Sequence, residues 1–271
     1  MLLTKESFRN ALSQCGISKG STVYVTGNLG RLGPPLSQDG IRLKNKQQIL
    51  EFYKSTILEL IGSTGTLVFP THSWDLVHRN VVFNGDITPC DYLFSEYLRT
   101  TLKCRRQIHP FASIAAHGYH ADQIINDQIQ LHPYSYLSPF AQLERITSVH
   151  LSLGLPVSRT FSAVHYCEFL SGVPYRYTKG FRKKIILDGR TVEKEFFLYV
   201  NYQKEGIARD QNVKIFSQLK TPILKSEIGS SYIQSISMNE AIQEIKALMN
   251  NDPYIWVRTI EASQEQWSWR K

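Results

Sequence analysis

An alternation of short, largely apolar runs with longer amphipathic ones restricts the fold more than any other feature of the chain. STVYVTG, GTLVFP, ASIAAHG and SVHLSLGL are each too short for a stable helix. They carry no charged Lys, Arg, Asp or Glu, so they read as strands buried inside a sheet. Between them, KNKQQILEFYKSTILELIG sets Ile49, Phe52, Tyr53, Ile57 and Leu60 on one helical face. ESFRNALSQCG repeats that spacing with Phe8, Leu12 and Cys15, and Gly16 follows as a stop. SEYLRTTLK and MNEAIQEIKALMN read as helices, and SYIQSIS and YIWV as strands. In HPYSYLSPFAQLERI, Ser138 is the expected N-cap and Pro139 the first helical residue. Strands interleaved with helices predict an α/β fold, a single domain over residues 1–271 with a central mixed sheet flanked by helices. An Asp-Gly pair inside KKIILDGRTVEKEFFLYV predicts a hairpin around 183–201. GNLGRLGPPLSQDGIRL, rich in Gly and Pro, predicts a loop.

With 42% hydrophobic and 20% charged residues, the chain has the composition of a globular protein. No run approaches the ~20 apolar residues of a membrane helix, and the start shows no signal-type apolar region. The expectation is a cytoplasmic protein with no membrane partner. Cys15, Cys90, Cys104 and Cys167 are scattered, with no spacing that suits a metal, so reduced thiols and no metal are expected. The net charge of +8 favours an anionic partner. The basic residues are dispersed and no nucleic-acid-binding motif accompanies them, which points to a phosphorylated small molecule rather than nucleic acid. The sequence allows a monomer or a homodimer.

The apolar run SVHLSLGL passes through PVSRTFS into AVHYCEF, where His165 and Glu168 stand three apart. Thr160 or Ser162 can cap a helix there. Residues at that spacing share a helix face. Glu168 can then accept a proton from one imidazole nitrogen, and the other can act as a general base. A histidine hydrogen-bonded inside a core helix satisfies the same spacing equally well. Cys167, two positions from His165, points elsewhere and reads as core packing.

Several segments, in order, resemble the aminoglycoside 3-N-acetyltransferase family, whose members share an antibiotic acetyltransferase fold. STVYVTGNLGRLG is similar to an opening strand and loop of the form VHSSLSxxG, and GSTGTLVFPTHSW to GTLVMPT. CRRQIHPFASIAAHG is similar to RRSxHPxxSxxAxG, LSPFAQL to SPxxRL, and LSLGLPVSRTFSAVHYCE to LLLGxxxxxxTxxHxxE. The resemblance spans roughly residues 20 to 210. It implies acetyl transfer from acetyl-CoA to an amine on a sugar, with His165 as base and Glu168 as its orienting partner. It also implies that Thr26, Gly27, Asn28 and Leu29, together with Arg105, Arg106, Gln107 and Ser113, wall the coenzyme site. Backbone N–H groups or hydroxyls of the first loop would hold the oxyanion. Arg105 and Arg106 have a further rationale, since guanidinium forks suit phosphates. His109 is expected to be structural.

Two departures bear on mechanism and substrate. The usual His-Ser-Ser of the first loop is Thr26-Gly27-Asn28, which removes the serine hydroxyls and leaves Asn28 as a possible donor. The acidic D-Y-D pattern expected after the hairpin is VNYQKEG, leaving only Glu205. A polycationic acceptor needs carboxylates, so a nucleotide-linked amino sugar for surface polysaccharide synthesis is the expected acceptor. The alternatives are an aminoglycoside, as in a resistance enzyme, or a non-catalytic binding protein on the same fold. His72, Trp74, Asp75, Tyr175, Arg176 and Glu205 are expected on the acceptor side. Lys179, Arg182 and Lys183 would face a diphosphate, and Tyr177 and Phe181 would stack on a sugar or base. Trp267 and Trp269 have no functional reading.

Overall fold

A computed structural model describes residues 2–126, 128–202, 207–209 and 214–259. The strands are β1 Thr22–Gly27, β2 Thr66–Pro70, β3 Arg105–Arg106, β4 Ile114–Gly118, β5 Val149–Leu153, β6 Arg176–Leu187, β7 Arg190–Asn201, β8 Ile207–Arg209, β9 Leu224–Ile228, β10 Ser231–Ser237 and β11 Val257–Thr259. Seven form the central mixed sheet in the order β3-β4-β2-β1-β5-β10-β9. Its middle is parallel, with β1 beside both β2 and β5, and its two flanks are antiparallel.

The apolar runs become central strands because helices cover both faces. Val23, Val25, Leu67, Phe69, Leu151 and Leu153 point to one side, where they meet Phe8, Leu12, Tyr53, Ile57 and Leu98 from the helices Lys5–Gln14, Lys46–Ile61 and Leu93–Thr101. Tyr24, Val68, Ile114 and Ile236 point to the other side, against the helices Pro139–Arg145, Val164–Leu170 and Met238–Asn251. The side-chain alternation is thus present with both phases buried; in β5 the second phase is His150 and Ser152, both hydrogen-bonded within the protein.

Local chemistry sets the helix ends. Thr4 forms a capping box with Ser7, a cap not anticipated from the sequence. Asn45 Oδ1 accepts from the amides of Gln47 and Gln48, and Ser138 Oγ accepts from Ala141 N, with Pro139 at the first position. The hairpin is longer than the sequence suggests, pairing Arg176 through Leu187 with Arg190 through Asn201. Asp188 and Gly189 both have positive φ, 49° and 73°, as a two-residue turn of matching twist requires. Ile185, Phe196 and Leu198 seat the hairpin on Phe83 and Phe111. YIWV is not a strand; Tyr254 to Trp256 form a turn and β11 starts at Val257. Among the described residues, no helix is long and apolar enough to cross a membrane.

Candidate active site

The three parallel strands end on one edge of the sheet. From β1 the chain continues to the helix Lys46–Ile61 on one face, and from β5 to the helix Val164–Leu170 on the other. Chains that diverge in this way open a crevice at the carboxyl ends of the strands. A cavity of about 1230 Å³ lies there, lined by Thr26 to Gly30, by Pro70, His72 and Trp74, by Leu153, Leu155 and Ser158 to Ser162, and by His165. Its floor depends on two close approaches. A Cβ at Gly27 (φ 124°) would lie 2.2 Å from Leu153 O, and one at Gly154 (φ 70°) 2.6 Å from Asn28 O.

His165 lines this cleft from the first turn of its helix. Its Nδ1 lies 2.6 Å from Oε2 of Glu168, which is wholly buried. Burial pushes the Glu168 carboxyl up, but the neighbouring His165 and Arg176 outweigh it and hold the group below the usual carboxylate range. An ionised carboxylate only accepts, so the imidazole proton sits on Nδ1 and Nε2 is the nitrogen able to act as base. Tyr175 donates its hydroxyl to Glu168 Oε1 at 2.9 Å. Arg176 brings Nε to 2.8 Å from Oε2 and donates from Nη1 to Tyr199 O. Its Nη2 is 3.2 Å from His165 Nδ1. A protonated Nδ1 has no lone pair to offer it, so the guanidinium acts on Glu168. Tyr175, expected to touch the acceptor, does not line the cleft and stands behind the carboxylate; Arg176 braces the carboxylate and also lines the cleft wall.

The expected helix cap is absent. Ala163 takes that position with no side-chain bond. Ser162 pairs with the Tyr24 hydroxyl at 2.9 Å, and Thr160 bonds to His150 Nε2 and Ser152 Oγ. Cys167 is buried with Sγ directed at Ile242 O, and burial raises its thiol well above the ordinary range. His109 is buried and structural, with Nδ1 accepting from Ala112 N and Nε2 facing Phe197 O.

Of the residues expected at the coenzyme, Thr26, Gly27, Asn28 and Leu29 line the cleft. Most of that loop's polar groups are already engaged. Asn28 N donates to Leu153 O at 2.7 Å, Gly30 N to Asn28 Oδ1, and Arg31 N to Asn28 O. Thr26 Oγ1 is 3.2 Å from His150 Nε2. Arg105, Arg106, Gln107 and Ser113 do not line the cleft, which corrects the expectation for them. Arg105 pairs with Asp122 on an edge strand. Gln107 is buried and donates to Gln130 Oε1, and Ser113 is buried against Thr71. Arg106 spends its fork on Thr71 O, Gly85 O, Thr88 O, Ser73 Oγ and Ser113 Oγ. It ties the loop after β2 to residues 85–88 and has no donor directed to a phosphate. Replacing Arg106 by methionine strands several inward carbonyls, each at about 1–3 kcal/mol. A drop of about 3 kcal/mol or more is expected in urea unfolding, with acetyl-CoA affinity of the folded protein unchanged.

On the acceptor side His72 and Trp74 line the cleft, with Trp74 half exposed. Asp75 faces solvent and pairs with Arg79. Lys179 and Arg182 stand on the hairpin and do not line the cleft, and Lys183 donates to Arg79 O. Tyr177 stacks on Tyr202, and Phe181 packs edge-on against Phe111. Glu205, Trp267 and Trp269 lie outside the described residues. The structure adds wall residues that the sequence did not single out: Lys44, Lys46 and Arg159 as cations, Asp91 as a carboxylate, and Tyr134, Tyr199 and Trp256 as aromatics. The lysines border a Gly/Pro-rich loop, and nothing in their sequence context separates them from surface lysines. Among the described residues, no group of His, Cys, Asp and Glu side chains is placed to hold a metal ion.

An imidazole oriented by a buried carboxylate stands at the carboxyl edge of a parallel sheet, beside a large cleft, on a mixed α/β fold. The aminoglycoside 3-N-acetyltransferase family profile matches residues 47–250, and the chain belongs to that family of N-acetyltransferases. It is 26% identical to aminoglycoside N(3)-acetyltransferase IV of Salmonella sp over 210 residues, covering 76% of each chain. It is 24% identical to the aminoglycoside N(3')-acetyltransferase-like protein YokD of Bacillus subtilis, covering 92% of this chain and 93% of that one. The crystal structure of YokD superposes with a TM-score of 0.73 at 21% identity over 93% of this chain and 95% of that one. AAC-IIIb in binary complex with CoASH gives 0.76 at 19% identity, over 93% of this chain and 97% of that one. A histidine-to-alanine variant of AAC(3)-IVa in complex with a gentamicin gives 0.73 at 20% identity, over 94% of this chain and 92% of that one.

Proposed function

We propose that the protein transfers the acetyl group of acetyl-CoA to an amine, with His165 as general base, and that an aminoglycoside-type amino sugar is its acceptor. The Glu168–His165 pair at the cleft wall carries this reading. His165 Nε2 takes a proton from the amine as nitrogen attacks the thioester carbonyl, and the imidazolium forms beside Glu168. The proton then passes to the departing thiolate. Lys44, Lys46 and Arg159 line the cleft and form no ion pair among the described residues, which suits the phosphates of a coenzyme A. The relatives' names, and the CoASH and gentamicin complexes of the structural neighbours, support the donor and the acceptor.

One observation favours a second acceptor class. Asp91 is the only carboxylate among the described cleft-lining residues, and its Oδ2 already accepts from Trp74 N. That is little charge for a polycation, so a nucleotide-linked amino sugar is the second reading, although none of the relatives named above supports it. The test is thiol release from acetyl-CoA with gentamicin, sisomicin and a panel of nucleotide-linked amino sugars. Turnover of the aminoglycosides, lost in His165→Ala, is the expected result; turnover of sugar nucleotides alone would replace the acceptor, and none with any amine would sink the reading. Charge reversal at Lys44 and Lys46 together should raise the acetyl-CoA KM about tenfold or more, with kcat nearly unchanged and the effect fading at high salt.

A further inference from the structure

Acyl transfer needs a donor for the oxyanion as well as a base. The first loop supplies few, because the amides of Asn28, Gly30 and Arg31 are hydrogen-bonded within the protein and Thr26 Oγ1 contacts His150. His72 stands at the same edge of the cleft. β1 and β2 run parallel and in register from Thr22 beside Thr66 to Tyr24 beside Val68, and beyond their ends Asn28 and His72 both line the cleft. The ring is wedged edge-on between Trp74 (centroids 5.1 Å) and Tyr92 (5.6 Å). Its Nδ1 is buried and has no hydrogen-bond partner among the described residues.

An orphaned buried N–H is rarer than an under-used acceptor. The proton is therefore assigned to Nε2 and the lone pair to the buried Nδ1. Because the residue lines the cavity and Nδ1 faces the interior, the ring meets the cleft with its Nε2 edge. We propose that His72 is a second catalytic histidine, a neutral imidazole whose Nε2–H hydrogen-bonds the thioester oxygen and the oxyanion that forms from it. The role rests on the acyl-transfer reading above. As the amine nitrogen bonds to the carbonyl carbon, the carbonyl π pair moves onto oxygen, where His72 stabilises it without giving up its proton. His165 takes the amine proton. Collapse re-forms the carbonyl, breaks the C–S bond, and returns that proton from His165 to the thiolate. Burial first, then the charges of His165 and Arg106, push the His72 imidazole down to about 3, so the ring stays uncharged through the working pH range. A neutral imidazole can polarise a carbonyl in this way.

His72→Phe keeps the ring that Trp74 and Tyr92 hold and removes the donor, whereas His72→Gln places an amide N–H near the reach of Nε2. With the amine acceptor that the wild type turns over, His72→Phe should lower kcat roughly 10²- to 10³-fold. The acetyl-CoA Kd and the acceptor KM should stay within about threefold, and His72→Gln should recover at least about tenfold of the loss. In ¹⁵N spectra of the histidine-labelled wild-type protein, the resonances lost in His72→Phe should report an Nε2–H tautomer that does not titrate between about pH 5 and 8. An unchanged kcat in folded His72→Phe would hand the role to Asn28 Nδ2 and overturn the assignment. So would equal loss in both variants, an Nδ1–H tautomer, or titration near neutrality. A wild type that releases no thiol with any amine tested would instead fail the acyl-transfer reading, and the assignment with it.

Discussion

Alanine at position 165 should lower kcat for acetyl transfer by roughly 10²- to 10⁴-fold, the range a positioned base contributes, and leave acetyl-CoA affinity intact. The affinity should survive because His165 is one wall residue among many and the cleft cations are elsewhere. Glu168→Gln should separate the two parts of the pair. The amide keeps the volume but loses the charge that stabilises an imidazolium and fixes the Nδ1–H tautomer, so activity should fall almost as far. It should also cost stability, because Arg176 is buried with Nε 2.8 Å from Glu168 Oε2 and loses its counter-charge. Removing one partner of such a buried pair costs about 3–5 kcal/mol. Steady-state kinetics, calorimetric titration with acetyl-CoA and urea unfolding of both variants check this. Full activity in His165→Ala would remove His165 from the mechanism, and full activity in Glu168→Gln would remove the carboxylate charge from it.

Lowering the pH from about 7.5 to about 4.5 should destabilise the protein by about 5 kcal/mol or more, from histidines rather than from carboxylates alone. Burial pushes His109 and His150 down from the ordinary 6.5 to about 3. Between those pH values the unfolded chain binds protons that the folded chain refuses, so stability falls on acidification. Two imidazoles at 1.36 kcal/mol per pH unit over about two units below 6.5 give about 5 kcal/mol. His72, down to about 3, and His132, down to about 4 because of burial, add to it in the same direction. Glu168, held low, loses its contribution only below the ordinary carboxyl range near 4. Urea midpoints should drop steeply from about pH 6.5 to about 4.5, and His150→Gln should flatten the drop. A midpoint that is level over that interval would mean that these rings take up protons in the folded state. Activity should remain reversible down to the onset of unfolding.

The legible parts of the chain were those whose signals are local. Apolar runs of five or six residues, the Ser138-Pro139 start, the Asp188-Gly189 turn and the His165–Glu168 spacing each depend on neighbours within a few positions, and each has its structural counterpart. Where a local signal met a competing long-range partner, the partner won. Ser162 is engaged by Tyr24, 138 positions away, and so does not cap the helix. Arg106 is drawn inward by carbonyls of residues 71, 85 and 88, which only the packing of β3 against β4 brings within its reach. Spacing cannot distinguish a guanidinium directed at phosphate from one directed at backbone, because both uses require the same fork.

The sequence by itself determined an α/β chain with a central sheet and an imidazole–carboxylate pair on one helix turn, because helix and strand periodicity and three-residue spacing are properties of the chain alone. Only the tertiary structure decided what surrounds that pair. It set Tyr175 and Arg176 behind Glu168, gathered Lys44, Lys46 and Arg159 along one cleft, and placed His72, just past the end of β2, on the wall of the same cleft. These residues come from segments far apart in sequence, and their juxtaposition follows from strand order and register, which no local pattern encodes.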